Sequence, residues 1–295
     1  MPTDGMRLAV LASPDAWHYR DLKRAAAGAH EVVSFPFETL AASVGATREF
    51  NLDADCVIVR TMPPGSLQEV VFRMDLLGQL AATGSLVLNS PKSIEIAVDK
   101  YLSLAKLNAA GIPVPATFVS QDLETALQHF ERLGGDVVVK PLFGSMGNGI
   151  HRIQSLSKAK ETFESLVESA SVIYQQEFVP HAGFDLRLLV IGSEVLGMNR
   201  INADNWITNI SQGGKGEPYL PTPEEKQLAI ESARAVGAHF AGVDLVVDQK
   251  SGRQLILEVN AVPGWRAISN VLDVDVAKMF ISEIEELMSE KDSHR

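Results

Sequence analysis

Leu257-Glu258-Val259-Asn260-Ala261-Val262-Pro263-Gly264-Trp265 is the stretch on which the reading of this chain turns. It sets a carboxylate, Glu258, and a side-chain amide oxygen, Asn260, two residues apart and just ahead of a Pro-Gly break. Alternate side chains of a strand share one face, so in a strand both oxygens point the same way. Such a pair suits a hard cation such as Mg²⁺, which takes oxygen ligands and is commonly shared with phosphates. The competing reading is a core strand that ends in polar residues. Asp244, in Gly242-Val243-Asp244, weighs toward the cation, because a buried carboxylate in an apolar strand needs a partner or a metal. If that strand pairs with Gln254 to Val259, Asp244 lies beside Glu258 and Asn260.

A phosphate grip stands upstream. Lys140-Pro141-Leu142-Phe143-Gly144-Ser145-Met146-Gly147-Asn148-Gly149 closes an apolar strand on a lysine and enters a loop with three glycines. Glycines let backbone amides approach a ligand, and successive amides form an anion nest. Gly144 and Gly149 have Walker spacing, but Ile150 stands where that motif requires Lys, so this is not a P-loop. The bland alternative is a flexible hairpin tip. Lys100, after Asp99 in a helical stretch, reads on its own as a solvated lysine. Gln175-Gln176-Glu177-Phe178 ends another strand and offers either a polar edge or partners for a purine. Asp185 and Arg187 alternate on one strand and Arg200 closes the next; arginine forks onto phosphate bidentately.

Composition bounds the classes open to the chain. Its 295 residues suffice for two or three subdomains. A formal net charge of -11 argues against nucleic-acid and anionic-membrane partners. The single cysteine, Cys56, permits no intrachain disulfide and reads as a small buried residue. No apolar run approaches the roughly 20 residues of a membrane span, and the N-terminus has no secretory pattern, so the cytoplasm is the default compartment.

Strand-like segments (Arg7 to Ala12, Glu31 to Phe37, Cys56 to Arg60, Ser85 to Asn89) alternate with helical ones (Tyr19 to Ala29, Leu67 to Ala82), which argues for a parallel α/β sheet. The turn Ala12-Ser13-Pro14-Asp15 lacks glycine, so this is not a dinucleotide site. A helix is expected over Ile94 to Ala110, ended by Gly111. A second unit runs from Thr117 to Phe178. A third opens with a hairpin, Asp185 to Ile191 and Val195 to Asn199, followed by a polar Gly-rich segment from Asn202 to Glu217. A helix over Pro223 to Phe240 leads to strands Val243 to Val247 and Gln254 to Val259. The residues from Ser289 are expected to fray.

In their order along the chain these motifs resemble the ATP-grasp superfamily, and its RimK-like glutamate ligase branch in particular. The pieces are Asp99-Lys100, Lys140 with the loop to Gly149, Gln176-Glu177-Phe178, Asp185 with Arg187, Arg200, Trp206 with Asn209, Gly213-Gly214, Gly242-Val243-Asp244, and Glu258-Val259-Asn260 with Pro263-Gly264. The resemblance spans about Ser90 to Trp265. It implies an α+β ATP-grasp fold: an N-terminal parallel α/β domain (1–92) and two α+β subdomains, 93–183 and 184–295, that clamp ATP.

By the same resemblance, Lys100, Lys140, Gly144, Ser145, Met146, Gly147 and Gly149 meet the ATP phosphates. Gln176, Glu177, Phe178 and Val179 meet the adenine, and Asp185 the ribose, with Arg187 and Asn209 also at the nucleotide. Asp244, Glu258 and Asn260 bind Mg²⁺, or Mn²⁺ in its place. Lys140 and Arg200 act on the transferred phosphoryl group. Trp206, Gly213, Gly214, Trp265 and Arg266 face substrate. The implied reaction is amide formation: a carboxylate takes the γ-phosphoryl of ATP, and the amine of an amino acid, glutamate, displaces phosphate. A kinase stopping at phosphoryl transfer and a protein-modifying glutamate ligase are the alternatives. Ile207 and Gln212 stand where ligases of ribosomal tails carry basic residues, which argues for a small-molecule, pterin-type acceptor over an anionic peptide. Relatives of this kind assemble as homodimers or homotetramers.

Overall fold

The computed structural model describes residues 5–45, 52–144 and 147–293. Its first sheet is parallel, with β1 (Arg7–Leu11), β2 (Glu31–Ser34), β3 (Cys56–Val59) and β4 (Leu86–Leu88) in the order β2-β1-β3-β4. Parallel neighbours need crossovers; α1 (Trp17–Ala25) and α2 (Leu67–Ala82) supply two of them. Both faces of β1 are therefore covered, which is why its sequence is apolar throughout. Leu8 and Val10 pack with Tyr19 and Leu22 of α1, while Ala9 and Leu11 pack with Leu77 and Leu80 of α2. Cys56 is fully buried, as expected. A capping box starts α2: Ser66 Oγ accepts from the Glu69 N–H, and the Glu69 carboxylate accepts from the Ser66 N–H.

The segment expected as one helix from Ile94 to Ala110 is two, α3 (Pro91–Val98) and α4 (Lys100–Ala109). Asp99 between them is extended (φ -87°, ψ 104°), and its carboxylate accepts from the Leu102 N–H at 2.9 Å. Aspartate competes for the backbone in this way at N-caps, and periodicity alone does not reveal it. The break makes Lys100 the first residue of α4.

The second sheet is antiparallel. It comprises β5 (Thr117–Ser120), β6 (Val137–Lys140), β7 (His151–Ile153) and β8 (Ile173–Glu177), ordered β5-β8-β6-β7. Helices α5 (Leu123–Arg132) and α6 (Leu156–Glu168) cover one face, where Val137, Val139 and Ile173 meet Phe130 and Phe163. Strand alternation leaves Val138, Lys140, Tyr174 and Gln176 on the other face.

The third sheet is also antiparallel: β9 (Phe184–Ile191), β10 (Glu194–Ile201), β11 (Lys215–Tyr219), β12 (Phe240–Val247) and β13 (Gln254–Asn260), ordered β11-β10-β9-β12-β13. Leu186, Leu188, Val243, Leu245 and Ile256 face α7 (Pro223–Ala235). Strand β11 lies in the segment expected to be polar loop. Its Gly216 and Pro218 are poor strand residues, but an edge strand tolerates them, and β11 pairs with β10 alone. Helix α7 ends five residues before Phe240, where it was expected to stop, and Gly237 (φ +73°) turns the chain into β12.

Helices α8 (Arg266–Leu272) and α9 (Val276–Ser293) close the chain. The expected fraying from Ser289 does not occur before Ser293, because α9 docks on the first sheet: Val276, Phe280 and Ile284 pack with Leu8 and Val10, and the Lys291 ammonium donates to the Gly84 carbonyl. No described helix is long and apolar enough to cross a membrane.

Asn89, directly after β4, fastens the first sheet to the third. Its amide nitrogen donates to the carbonyls of Phe240 and Ala261, both at 2.6 Å, and its oxygen accepts from the N–H groups of His239 (2.8 Å) and Phe240 (3.1 Å). The side chain is 2% exposed, and all four of its hydrogen-bonding sites are used. Asn89→Ala is expected to lower stability by about 3 kcal/mol, because the stranded backbone groups stay buried. Urea unfolding should show a lower midpoint at constant slope; a loss below about 1 kcal/mol would contradict this account.

Candidate active site

Strands β12 and β13 set Asp244 opposite Glu258 and Gly242 opposite Asn260, but the register then shifts so that Leu245 faces Ile256. Leu257 is the extra residue of a β-bulge. Strict alternation along β13 would put Glu258 and Asn260 on the face of Ile256, which is fully buried against the core. The bulge resets the parity and re-aims the side chains beyond it. Ile256 and Val259 therefore stay in the core, while Glu258 and Asn260 share the opposite face with Asp244.

On that face four charges form a closed set. Arg200 forks onto Asp185 with Nε–Oδ1 at 2.8 Å and Nη2–Oδ2 at 2.5 Å, and its Nη2 also lies 2.8 Å from Asp244 Oδ2. Arg187 Nη1 donates to Asp244 Oδ1 at 2.5 Å. The register dictates these pairs, since Arg200 is opposite Asp185 and Arg187 is opposite Asp244. Gly242 makes the space: a Cβ there would lie 2.2 Å from Arg187 Nη2. Burial alone would push the Asp244 carboxyl up, but Arg200 and Arg187 more than reverse this and hold it below the usual carboxylate range.

These pairings bear on two expectations. Asp185 lines the cleft, but both its oxygens already accept from Arg200, so only their remaining lone pairs are open to a ribose. Arg187 is drawn onto Asp244 and is not part of the cleft wall, whereas Asp185, Arg200 and Asp244 are. Arg200 keeps Nη1 without a protein partner among the described residues.

The third sheet faces the second across an open cleft. Lys140 enters it from the end of β6, donating to Gln176 Oε1 at 2.7 Å. Burial pushes the Lys140 ammonium down to about 8; Glu258 opposes that shift and Lys100 adds to it. Lys100, 9% exposed, donates to the Gly144 carbonyl at 2.7 Å. It is thus buried and aimed at the glycine loop rather than solvated. Gly147 and Gly149 have φ of +74° and +72°. Gly147 lies so close to Asn209 and Gln212 that a Cβ would sit 3.2 Å from each, and Gln212 Nε2 donates to Asn148 Oδ1 at 3.3 Å. Ser145 and Met146 lie outside the described residues.

At the far end of the cleft the purine-edge residues divide. Gln176 is 2% exposed and its amide is committed to Lys140 and Thr117, so its side chain positions the lysine. Glu177 lines the cleft while its Oε1 accepts from the Ala116 N–H at 2.9 Å. Phe178 carries the Arg152 guanidinium 3.4 Å over its ring and meets Trp206 edge-on at 5.7 Å. Val179 and Asn209 also line the cleft. Sequence reasoning missed the apolar walls, Val138 and Ile150 on one side and Val246 and Leu257 on the other. The signal for two of them was available: Val138 stands two residues before Lys140 and Val246 two after Asp244, hence on the same strand faces.

Three of the residues expected at substrate do other work. Trp265 is 1% exposed, packed with Phe280, and donates from Nε1 to Asp21 at 2.9 Å, so it is core. Gly213 (φ +91°) and Gly214 shape a tight turn in which a Cβ on Gly214 would lie 2.0 Å from the Thr208 carbonyl oxygen. Neither lines the cleft. Arg266 is exposed beside Trp17.

The donor set fits a cation shared with phosphate. Glu258 lines the cleft and, among the described residues, forms no ion pair. Asn260 Oδ1 accepts from the Val262 N–H at 2.8 Å and retains a second lone pair. Mg²⁺ is usually bound through one or two carboxylates and completed by phosphates and water, and Glu258 and Asn260 are oxygen donors of that kind.

Residues 97–284 match the RimK-like ATP-grasp domain. The chain is 32% identical over 264 residues to tetrahydromethanopterin:alpha-L-glutamate ligase of Methanosarcina acetivorans, covering 80% of this chain and 81% of that protein. It is 36% identical over 240 residues to the protein of the same name from Methanococcus maripaludis, covering 79% of each. Its fold matches the RimK domain protein ATP-grasp from Sphaerobacter thermophilus with a TM-score of 0.74 and 26% identity, over 94% of this chain and 98% of that one.

Asp244 supplies a pH test of the charge set. Its carboxyl is held below the unfolded value of about 3.9, so the pairing stabilises fully above that pH and is lost as pH falls further. Arg187→Met is expected to cost about 3 kcal/mol at pH 7, with the gap to the parent narrowing below about pH 4. Equal losses by denaturant titration at pH 7 and pH 3 would refute this.

Proposed function

The chain belongs to the RimK-like ATP-grasp family of carboxylate–amine ligases, and from that premise we propose that it joins glutamate to the carboxylate of a small, pterin-type molecule at the expense of ATP. One observation carries the reading. Lys100, on the Gly144 carbonyl of the glycine loop, and Lys140, nearby at the end of β6 and held by Gln176, have no carboxylate partner among the described residues, and Glu258, whose charge acts on Lys140, has no cationic one. Positive charge on one wall and a hard oxygen donor on the other suit a metal-bound nucleotide triphosphate.

In this reading residues 93–183 and 184–295 grip the nucleotide and 1–92 borders the acceptor. Val138 and Ile150, opposed by Val246 and Leu257, sandwich the adenine, with Glu177 and the backbone near Phe178 and Val179 at its edge. Lys100, Lys140 and the amides of Gly147 and Gly149 hold the phosphates. Glu258 and Asn260, with Asp244 beside them, would hold Mg²⁺, or Mn²⁺ in its place. Bound there, the ion would neutralise phosphate charge and polarise the γ-phosphoryl group.

The acceptor carboxylate oxygen attacks the γ-phosphorus, the bond to the β-bridging oxygen breaks, and ADP departs. The neutral amine of glutamate attacks the acyl carbon, the bond from that carbon to the phosphoryl oxygen breaks, phosphate leaves with the oxygen that came from the acceptor carboxylate, and the proton lost by nitrogen passes to that phosphate. Such transfer depends on alignment and charge neutralisation more than on a protein nucleophile. Lys140 and the free Nη1 of Arg200 stabilise the charge that develops on the moving phosphoryl group. Ile207 on the cleft wall and Gln212, tied to Asn148, add no positive charge, which favours a small acceptor over an acidic peptide.

Two outcomes test the reading. With Mg²⁺, ATP, glutamate and a panel of pterin and other small carboxylates, ADP release should require both acceptor and amine, and mass spectrometry should find the amide. Lys140→Ala should reduce turnover by at least about a hundredfold. ADP release that needs no amine would instead indicate a kinase, and no release above the Lys140→Ala background would end the ligase reading. Second, Lys140 is charged only below about 8. So kcat/KM for ATP, which reports the free enzyme, should fall as pH rises through that value, and Lys140→Arg should abolish that alkaline limb.

A further inference from the structure

Arg60 follows β3 directly and is 8% exposed. Its guanidinium lies 4.5 Å over the Trp265 ring, and Nη2 donates to the Pro263 carbonyl at 2.6 Å. Its Nε is buried without any hydrogen-bond partner. Among the described residues no carboxylate pairs with it. Burial pushes the guanidinium down to about 9, and no acid pulls it back. A buried cation without a counter-charge is costly. An anion brought by a ligand would relieve that cost.

The surroundings point the same way. His18 packs edge-on against Trp265 at 4.6 Å, and the Arg266 guanidinium lies 5.6 Å over Trp17, which itself meets His18 at 5.1 Å. Burial, then Arg60, push His18 down to about 4; Asp21 opposes and Arg266 adds to the fall. His18 is therefore neutral at pH 7. Its Nε2 accepts from the Trp265 N–H at 3.4 Å, which assigns the proton to Nδ1 and leaves that N–H as a donor. Asp21 is already committed to Trp265 Nε1 and to Arg24. The place is the carboxyl end of a parallel sheet, where α/β folds bind ligands. It is also close to the metal-binding face, since Pro263 is three residues past Asn260, a span of at most about 11 Å.

We propose that Arg60, with His18 and Arg266, forms a carboxylate-binding site that holds the non-reacting carboxylate of a substrate. That the ligand is a substrate rests on the ligase reading; the anion site rests on the geometry alone. The carboxylate comes either from glutamate or from a second acid group on the acceptor, and the two sources separate experimentally.

The full chain, with Mg²⁺ and a non-hydrolysable ATP analogue, would be titrated with L-glutamate, glutarate and glutaramide by calorimetry and tryptophan fluorescence. Saturation by a carboxylate but not by glutaramide is expected. Arg60→Met should weaken it at least tenfold, Arg60→Lys less, and Arg266→Met about threefold. A preference for L-glutamate over glutarate assigns the site to the amino acid; equal binding assigns it to the acceptor. In turnover, Arg60→Met should raise KM for the matching substrate far more than it lowers kcat. It should not lower Tm, whereas a purely structural Arg60 would lower Tm and leave KM unchanged. Carboxylate binding unaltered by Arg60→Met, glutaramide binding as well as glutarate, or no binding at all would overturn the proposal. ADP release with unchanged KM would refute this site and leave the ligase reading standing; carboxylate binding without ADP release would do the reverse.

Discussion

Two carboxylates and two guanidiniums buried on one face of the third sheet can exist only as a set. Asp185, Arg187, Arg200 and Asp244 neutralise one another, and each pair lies straight across from its partner on adjacent strands. Removing any one would leave the set with an uncompensated buried charge. Much of the local architecture serves the set. The register of β9 against β10 and β12 sets the partners opposite one another, Gly242 makes room for Arg187, and the bulge at Leu257 brings Glu258 to the same face. Because the four cancel, the charge left at the cleft is Lys100 and Lys140 at the glycine-loop side, with Glu258 across from them and Glu177 at the far end. The two lysines thus give one end of the cleft a local positive character although the chain as a whole carries a formal charge of -11.

The apolar walls matter as much as the charge. Val138 and Lys140 are neighbours on one strand face, as are Asp244 and Val246 on another, so each strand supplies both a flat apolar surface and an ionic end. The same two-residue period that builds the sheets thus separates an apolar part of the cleft from an ionic one. The glycine loop touches Asn209 and Gln212, so the segment between β10 and β11 and the loop after β6 form one rim rather than two independent lids.

Strand identity, the parallel first sheet, and the gathering of Lys140, Glu258, Asn260 and Asp244 were legible in the sequence, because each rests on local period and residue type. What was not legible depends on pairing. That Asp185 pairs with Arg200, or that Gln176 serves Lys140, follows from cross-strand register, which single-chain patterns do not specify. The bulge at Leu257 is invisible to alternation by its nature. Lys100 looked solvated because the helix break at Asp99 was hidden within a helical run, and Trp265 looked functional because nothing upstream announced the helix α9 that buries it. The edge strand β11 carries Pro218 and Gly216, residues that ordinarily argue against a strand.

The Asn89 clasp has a bearing on motion. The first and third sheets share that side chain and a hydrophobic cluster running from Leu8 to Ile284, so they travel as one body. The second sheet keeps its own small core under α5 and α6, and only Tyr174 of that sheet is fully sunk into the larger cluster. The second sheet is therefore the part least tied to the rest, and the chain that enters and leaves it is pinned to the third-sheet unit by backbone hydrogen bonds from Ile256 to Pro113 and from Gln249 to Pro180.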